Sequence, residues 1–128
     1  MISARGYANV VPSTDDICYG VLYTLSAADE AFLDICEGVP RCYEKHFLAV
    51  RMLDETMVDG VLVYIDKVGA VDGISRREYI QRINSGLKDV RDIPAEWVEK
   101  YIRRFIPAEP EEARAKAPRM LEKAAVKA

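Results

Sequence analysis

Two runs rich in β-branched and aromatic residues, 43–53 and 57–65, constrain the fold more than any other feature of the chain. Only Asp54-Glu55-Thr56 separates them, and so short a polar connection is typical of a hairpin between antiparallel strands. The second run is apolar at both odd and even positions. The sequence therefore predicts a β-hairpin near the middle of the chain.

Two more strands are predicted upstream of this hairpin. Residues 6–11 form a short strand candidate that ends in turn-forming residues at 12–16. Residues 17–25 are aromatic and β-branched with almost no charge, a composition typical of a central strand that is covered on both faces. We therefore expect residues 17–25 to lie in the core.

A short amphipathic helix is predicted between these strands and the hairpin. Ser26 is suited to the N-cap and Asp29 to the third helical position. Gly38 can adopt the left-handed conformation that ends a helix, and Pro40 cannot continue one, so Glu37 falls at the helix end. The predicted apolar face consists of Ala28, Ala31, Phe32 and Ile35.

Two helices are predicted after the hairpin. Ser75 and Glu78 have the spacing of a capping box, which starts a helix that runs to about Val90. Pro94 opens a second helix, which ends before Pro107. Because the strands come early and the helices late, the order favours an α+β fold.

The length of 128 residues suits one domain, which we assign to residues 1–107, followed by a charged tail rich in Ala, Lys, Glu and Arg at 108–128. The net charge of −3, with basic and acidic residues interspersed, argues against nucleic acid as a partner. No apolar run approaches the length of a membrane span, and no targeting signal follows Met1. We therefore expect a cytoplasmic protein that does not bind membranes.

The cysteines do not suggest a disulfide framework or a metal site. Cys18, Cys36 and Cys42 are odd in number, so we expect reduced core thiols. Cys36, Cys42 and His46 lack the close C-x2-C spacing of a zinc site, and a fourth ligand is not evident. The spacing therefore argues against a metal site.

Glu37 is the strongest candidate for acid/base chemistry. A carboxylate at a helix end lies near the negative pole of the helix dipole, which disfavours the charged form and raises its pKa. Shielding from water would raise the pKa further, toward the range useful for proton transfer. The alternative is a solvated glutamate in a surface turn. The residues around Glu37 are compatible with both interpretations.

Several short motifs occur in the order and spacing of a known family. They are RGYANVV (5–11), YGVLY (19–23), EGVP (37–40) followed by Tyr43, VYI (63–65) and EYIQRINSG (78–86), with Ile93-Pro94 beyond. Together they resemble the γ-glutamylcyclotransferase family, most closely its fungal members, over residues 4–107. The EGV sequence with a tyrosine nearby is the most specific part of this resemblance.

The resemblance implies a small mixed β-barrel with flanking helices and a reaction without cofactors. In this reaction the α-amine of the substrate attacks its own γ-glutamyl carbonyl, forms 5-oxoproline and releases an amine or amino acid. The family's general acid/base matches Glu37, and its substrate-binding tyrosines match Tyr79, Tyr43 and Tyr64. The implied substrates are γ-glutamyl amino acids, glutathione or glutathione conjugates.

One part of the family pattern has no counterpart in the sequence. The family begins with a strand and a Tyr-Gly-Ser-Asn-type loop that binds the glutamyl group, and nothing before Gly6 resembles them. We expect slow catalysis without the N–H donors of that loop, and an open sheet edge that favours self-association. A shortened gene model and a degenerate paralogue are the two explanations. The alternative function is an impaired family member or fragment that acts as a small-molecule binding or interaction module.

Overall fold

The fold is known from a computed structural model that describes residues 3, 6–67, 73–109 and 125–127. In chain order its elements are β1 (Tyr19–Val21), α1 (Ala27–Cys36), β2 (Tyr43–Met52), β3 (Met57–Asp66), α2 (Arg77–Asp89), α3 (Ala95–Trp97), which continues as a π-helical turn over Val98–Ile102, and β4 (Ala125–Lys127). The mixture of helices and one antiparallel sheet confirms the α+β class.

The hairpin of β2 and β3 is confirmed and forms the largest part of the sheet. The two strands run antiparallel from the Tyr43/Asp66 pair to the Arg51/Met57 pair. At the turn, the Thr56 N–H donates to the Asp54 carboxylate at 3.0 Å, and the Met52 N–H donates to the Thr56 carbonyl at 2.8 Å. The short polar connection therefore turns the chain as its residue types predict.

The sheet contains four strands in the order β1-β4-β2-β3, and β4 pairs antiparallel with both β1 and β2. The strand β4 comes from the segment 108–128, which we expected to be a solvated tail. Most of that segment lies outside the described residues, but Ala125–Lys127 supplies backbone partners to two strands. The four described strands leave β1 and β3 at the edges, so the sheet is open and a barrel is not shown.

The prediction of strands at 6–11 and 17–25 is largely wrong. Within 6–11 only Ala8 forms a bridge, because Gly6 turns the chain with φ of 87°. Within 17–25 only Tyr19–Val21 is a strand, and it is half-buried at a sheet edge. The exposed fractions of Tyr23 and Leu25 are 56% and 41%, so this segment is not a covered central strand.

The helix α1 begins and ends as predicted. Ser26 and Asp29 form a capping box, and the backbone N–H of Glu37 closes the helix on the Leu33 carbonyl at 2.8 Å. Its apolar face is not buried as predicted, since Phe32 and Ile35 are 67% and 79% exposed. The helix instead contacts the sheet through charged side chains, which are described below.

The helix α2 occupies the predicted range, but its N-terminus differs from the prediction. Arg76 is the N-cap without a side-chain hydrogen bond, so the capping box expected from Ser75 and Glu78 does not form. Near the middle of α2, buried Asn84 donates to the Pro107 carbonyl at 2.8 Å and accepts from Arg103 at 2.8 Å. These bonds fix α2 against the chain that follows the π-helical turn.

The short helix α3 packs against β1. The Trp97 indole donates to the Ile17 carbonyl at 2.5 Å and meets the Tyr19 ring edge-to-face at 5.4 Å. The apolar stripe predicted for residues 94–105 is therefore used for docking, although the helix is split into α-helical and π-helical parts. Among the described residues, no helix has both the length and the apolar character needed to cross a membrane.

Candidate active site

A cavity of about 520 Å³ opens where the end of α1, the start of β2 and the first turns of α2 meet. Four of the residues that line it are Glu37, Tyr43, Tyr64 and Tyr79, which come from four different elements or their caps. The structure thus brings together all four residues that the sequence analysis selected. The remaining lining residues are Tyr7, Ala8, Cys36, Gly38, Cys42 and Arg82.

Glu37 is held at the helix end by the backbone that follows it. Gly38 has φ of 65°, a left-handed conformation in which side chains with a Cβ are strained. A Cβ on Gly38 would also lie 3.2 Å from the Cys42 Sγ, and the Cys42 N–H donates to the Gly38 carbonyl at 2.8 Å. This tight return leaves Glu37 half-buried on the cavity wall.

Tyr79 lies on the first turn of α2 and carries a hydroxyl that is available to a ligand. Its oxygen accepts from the Ala8 N–H at 3.2 Å, so this bond does not use the phenolic hydrogen. The Tyr7 ring meets the Tyr79 ring edge-to-face, with centroids 5.3 Å apart, and fixes its orientation. Burial raises the pKa of Tyr79, and the charge of Glu37 adds to this effect, so Tyr79 remains a donor at neutral pH.

Tyr64 has a different environment, since its hydroxyl donates to the Asp34 carboxylate at 2.7 Å. Lys45 donates to the other oxygen of Asp34 at 3.0 Å and also pairs with Glu30. Burial, followed by the hydrogen bond to Asp34, raises the pKa of Tyr64 to about 12. The ring of Tyr64 lines the cavity, whereas its hydrogen is used to join β3 to α1.

The ion pairs of Lys45 also explain how α1 docks on the sheet. The pKa of Asp34 is lowered first by the hydrogen bond from Tyr64 and then by that from Lys45, and the pKa of Lys45 is raised by both acidic partners. These charge-assisted contacts hold the end of α1 beside β2 and β3. They therefore position Glu37, which follows α1 directly.

Tyr43 forms the buried part of the cavity wall, with an exposed fraction of 9%. It begins β2 and pairs in register with Asp66, the last residue of β3. The Asp66 N–H donates to the Asn9 side chain at 2.9 Å, and the Asn9 amide donates back to the Asp66 carbonyl at 3.4 Å. This bonding ties the segment that carries Tyr7 and Ala8 to the same end of the hairpin.

Arg82 is the residue at the cavity that the sequence analysis missed as a functional candidate. It lies one turn after Tyr79 on α2. Among the described residues that line the cavity, Arg82 is the one with a positively charged side chain. Its guanidinium donates to Glu78 at 2.6 Å and remains 66% exposed, so most of its donors face the cavity mouth or solvent. The i, i+3 spacing of Tyr79 and Arg82 is the signal that could have found it.

Cys36 and Cys42 also line the cavity. All three cysteines are free, but Cys18 and Cys36 are exposed, so the expectation of buried core thiols is wrong for these two. The described side chains contain no group of three or more His, Cys, Asp and Glu that could hold a metal ion. The chemistry available at the cavity is therefore that of carboxylate, phenol, thiol and guanidinium.

The arrangement suits a small zwitterionic ligand. Glu37 offers negative charge that can bind or deprotonate an ammonium group, and Arg82 offers positive charge that can bind a carboxylate. Tyr79 supplies a neutral donor from the same helix as Arg82.

Comparison of the chain with protein-family models, with curated proteins and with solved structures found no match.

Proposed function

We propose that this protein is a γ-glutamylcyclotransferase that converts a γ-glutamyl amide into 5-oxoproline and a released amine. The observation that carries the proposal is the convergence of Glu37, Tyr43, Tyr64 and Tyr79 on one cavity. These residues span positions 37–79 and come from four different elements or their caps, and the motif pattern of the sequence predicts all four. The resemblance to the family supplies the reaction, and the cavity supports it.

Glu37 acts as base and then as acid in the proposed reaction. An α-amine has a pKa near 8, so at neutral pH it must lose a proton before it can attack. Glu37 removes this proton, the α-nitrogen forms a bond to the γ-carbonyl carbon, and a tetrahedral oxyanion develops. That attack closes the five-membered ring. Protonated Glu37 then donates its proton to the leaving nitrogen as the old C–N bond breaks and the carbonyl re-forms, which releases the amine. The ring nitrogen gives up its second proton to Glu37 or to water, which leaves the neutral ring amide of 5-oxoproline.

The other residues bind and orient the substrate. We assign Arg82 to the α-carboxylate, because a guanidinium can hold a carboxylate with two parallel hydrogen bonds. We assign Tyr79 to the γ-carbonyl oxygen, where negative charge develops in the transition state. Tyr43 and Tyr64 form the walls that hold the folded substrate. Because nucleophile and electrophile belong to one molecule, holding this shape supplies part of the acceleration.

The proposed function also includes a location in the cell, a closed β-barrel and a reaction without a cofactor. We propose a cytoplasmic site of action, which agrees with three cysteines that form no disulfide. The closed barrel that the resemblance implies stays a prediction. So does a reaction without metal or cofactor, since it needs only proton transfer and ring closure.

The proposal is tested by 5-oxoproline release from γ-glutamyl amino acids, γ-glutamyl arylamides and glutathione. We expect Glu37→Gln to lower the rate by about 100-fold or more, as removal of a general acid/base does. Glu96→Gln is the matched control, because Glu96 is an exposed glutamate that does not line the cavity. Thermal stabilisation by γ-glutamyl ligands without turnover would instead identify a binding module.

A further inference from the structure

A second cavity of about 580 Å³ lies along α2, between this helix, β1 and the π-helical turn. Its lining is mainly apolar, although polar residues lie at its margin. Volumes of this size are typical of sites for small organic ligands. Apolar side chains that contribute to the lining include Val21, Leu87, Val90, Ile93, Trp97 and Ile102.

The two cavities are neighbours that share one residue. Arg82 lines both of them, and its guanidinium donates to Glu78, a residue of the second cavity, at 2.6 Å. Tyr79 lines only the candidate active site, whereas Glu78 lines only the second cavity. A ligand bound to Arg82 in the first cavity therefore has the second cavity directly beside it.

The charges along the second cavity indicate what can enter it. Glu78 and Asp89 contribute two carboxylates, and the one guanidinium, that of Arg82, donates to Glu78 and is assigned to the α-carboxylate of the substrate. A leaving group that carries its own carboxylate would meet a lining with more negative than positive charge, which is unfavourable. A neutral apolar amine would instead bury its surface against the apolar lining and replace water.

We propose that the second cavity binds the leaving group of the substrate, and that this group is a bulky apolar amine without a carboxylate. This inference rests on the proposed function and narrows it from γ-glutamyl amides in general to γ-glutamyl amides of aryl or large alkyl amines. Binding energy from a part of the substrate distant from the reacting carbonyl raises kcat/KM when it persists in the transition state. Glutathione, whose leaving group ends in a carboxylate, is a poorer substrate.

Gly86 allows the second cavity to be filled without touching the first. It lies in α2 on the cavity wall, and a Cβ built there meets no other heavy atom within 4 Å. Gly86→Leu places an isobutyl group in or across the cavity, whereas Gly86→Ala adds one methyl group and serves as the control. Both replacements favour the helix, so a loss of activity is not explained by unfolding.

The test compares γ-glutamyl-p-nitroanilide with γ-glutamylalanine. We expect wild type to prefer the anilide at least tenfold in kcat/KM, and Gly86→Leu to lower that value at least tenfold for the anilide but less than twofold for γ-glutamylalanine. Gly86→Ala should keep both values within about twofold of wild type. Equal effects of Gly86→Leu on the two substrates, or none on the anilide, would overturn the inference.

A binding measurement separates failure of this inference from failure of the proposed function. Trp97 is the single tryptophan and lines the second cavity, so p-nitroaniline bound there should quench its fluorescence. Quenching that Gly86→Leu abolishes supports the apolar amine site even when no 5-oxoproline forms, in which case the proposed function alone fails. Quenching that Gly86→Leu leaves unchanged overturns the site.

Discussion

Replacement of Gly38 by alanine tests how the fold holds Glu37 at the cavity. Gly38 has φ of 65°, and an added Cβ would lie 3.2 Å from the Cys42 Sγ and 3.3 Å from the Cys42 Cβ. The left-handed conformation costs a residue with a Cβ about 1 kcal/mol, and the contact with Cys42 forces a further local shift. We expect Gly38→Ala to lower the free energy of unfolding by about 2 kcal/mol in total.

Two other glycines separate these contributions. Gly60 has φ of 67°, but a Cβ there meets nothing within 4 Å, so Gly60→Ala carries only the conformational cost of about 1 kcal/mol. Gly86 lies inside α2, again with open space around a Cβ, and Gly86→Ala should stabilise the chain by about 0.5–1 kcal/mol. Each of the three variants adds one methyl group. The site is left-handed and crowded at position 38, left-handed and open at position 60, and helical and open at position 86.

Urea unfolding followed by the fluorescence of Trp97 measures all three free energies. The expected order of stability is Gly86→Ala, wild type, Gly60→Ala and Gly38→Ala. Equal values for Gly38→Ala and Gly60→Ala would show that Cys42 does not crowd position 38. A Gly38→Ala variant as stable as wild type would refute the left-handed turn after α1, and with it the described position of Glu37.

Three further predictions concern the polar groups at the cavity. The pKa of Asp34 is lowered by the hydrogen bonds from Tyr64 and Lys45. Ionised Asp34 therefore stabilises the fold above its unfolded pKa of about 3.9, and this contribution is lost as the pH falls through its lower folded pKa. Asp34→Asn should flatten the stability profile below about pH 4 in urea titrations. Tyr79→Phe should lower kcat by about 100-fold in the 5-oxoproline assay, because it removes a donor to the developing oxyanion. Arg82→Gln should raise KM about tenfold or more and leave kcat less affected, because it removes a charge-assisted bond to the substrate carboxylate; an unchanged KM would exclude that role.

Local signals in the sequence predicted the elements that depend on neighbouring residues. The hairpin turn at Asp54-Glu55-Thr56 and the capping box at Ser26 and Asp29 use contacts within a few residues, and both occur as expected. The end of α1 at Glu37 and Gly38 belongs to the same class, because a left-handed glycine stops the helix locally.

Features that depend on distant partners could not be predicted. Residues 17–25 have the composition of a central strand, yet they form only a short edge strand, because strand length is set by the partners that the chain supplies. The strand Ala125–Lys127 was not predicted, because the composition of residues 108–128 is typical of a solvated tail. The exposure of Phe32 and Ile35 follows from docking of α1 through Asp34 and Lys45, which helical periodicity does not reveal.

At the candidate site, too, the sequence predicted which residues are present but not the contacts that they make with distant partners. The motif pattern selected Glu37 and three tyrosines that line one cavity. It did not distinguish Tyr64, whose hydroxyl is bound to Asp34, from Tyr79, whose hydrogen is available. Arg82 was missed because an arginine that forms an i, i+4 pair with Glu78 has the sequence pattern of an ordinary solvated helix face.

The central claim is that Glu37 transfers protons in an intramolecular ring closure. The most direct measurement is the initial rate at which 5-oxoproline and amine appear in equal amounts from a γ-glutamyl amide, for wild type and for Glu37→Gln. We predict turnover by wild type and a decrease of about 100-fold or more in the variant, with folding intact by circular dichroism. Equal rates for the two proteins, or no 5-oxoproline from wild type, would contradict it.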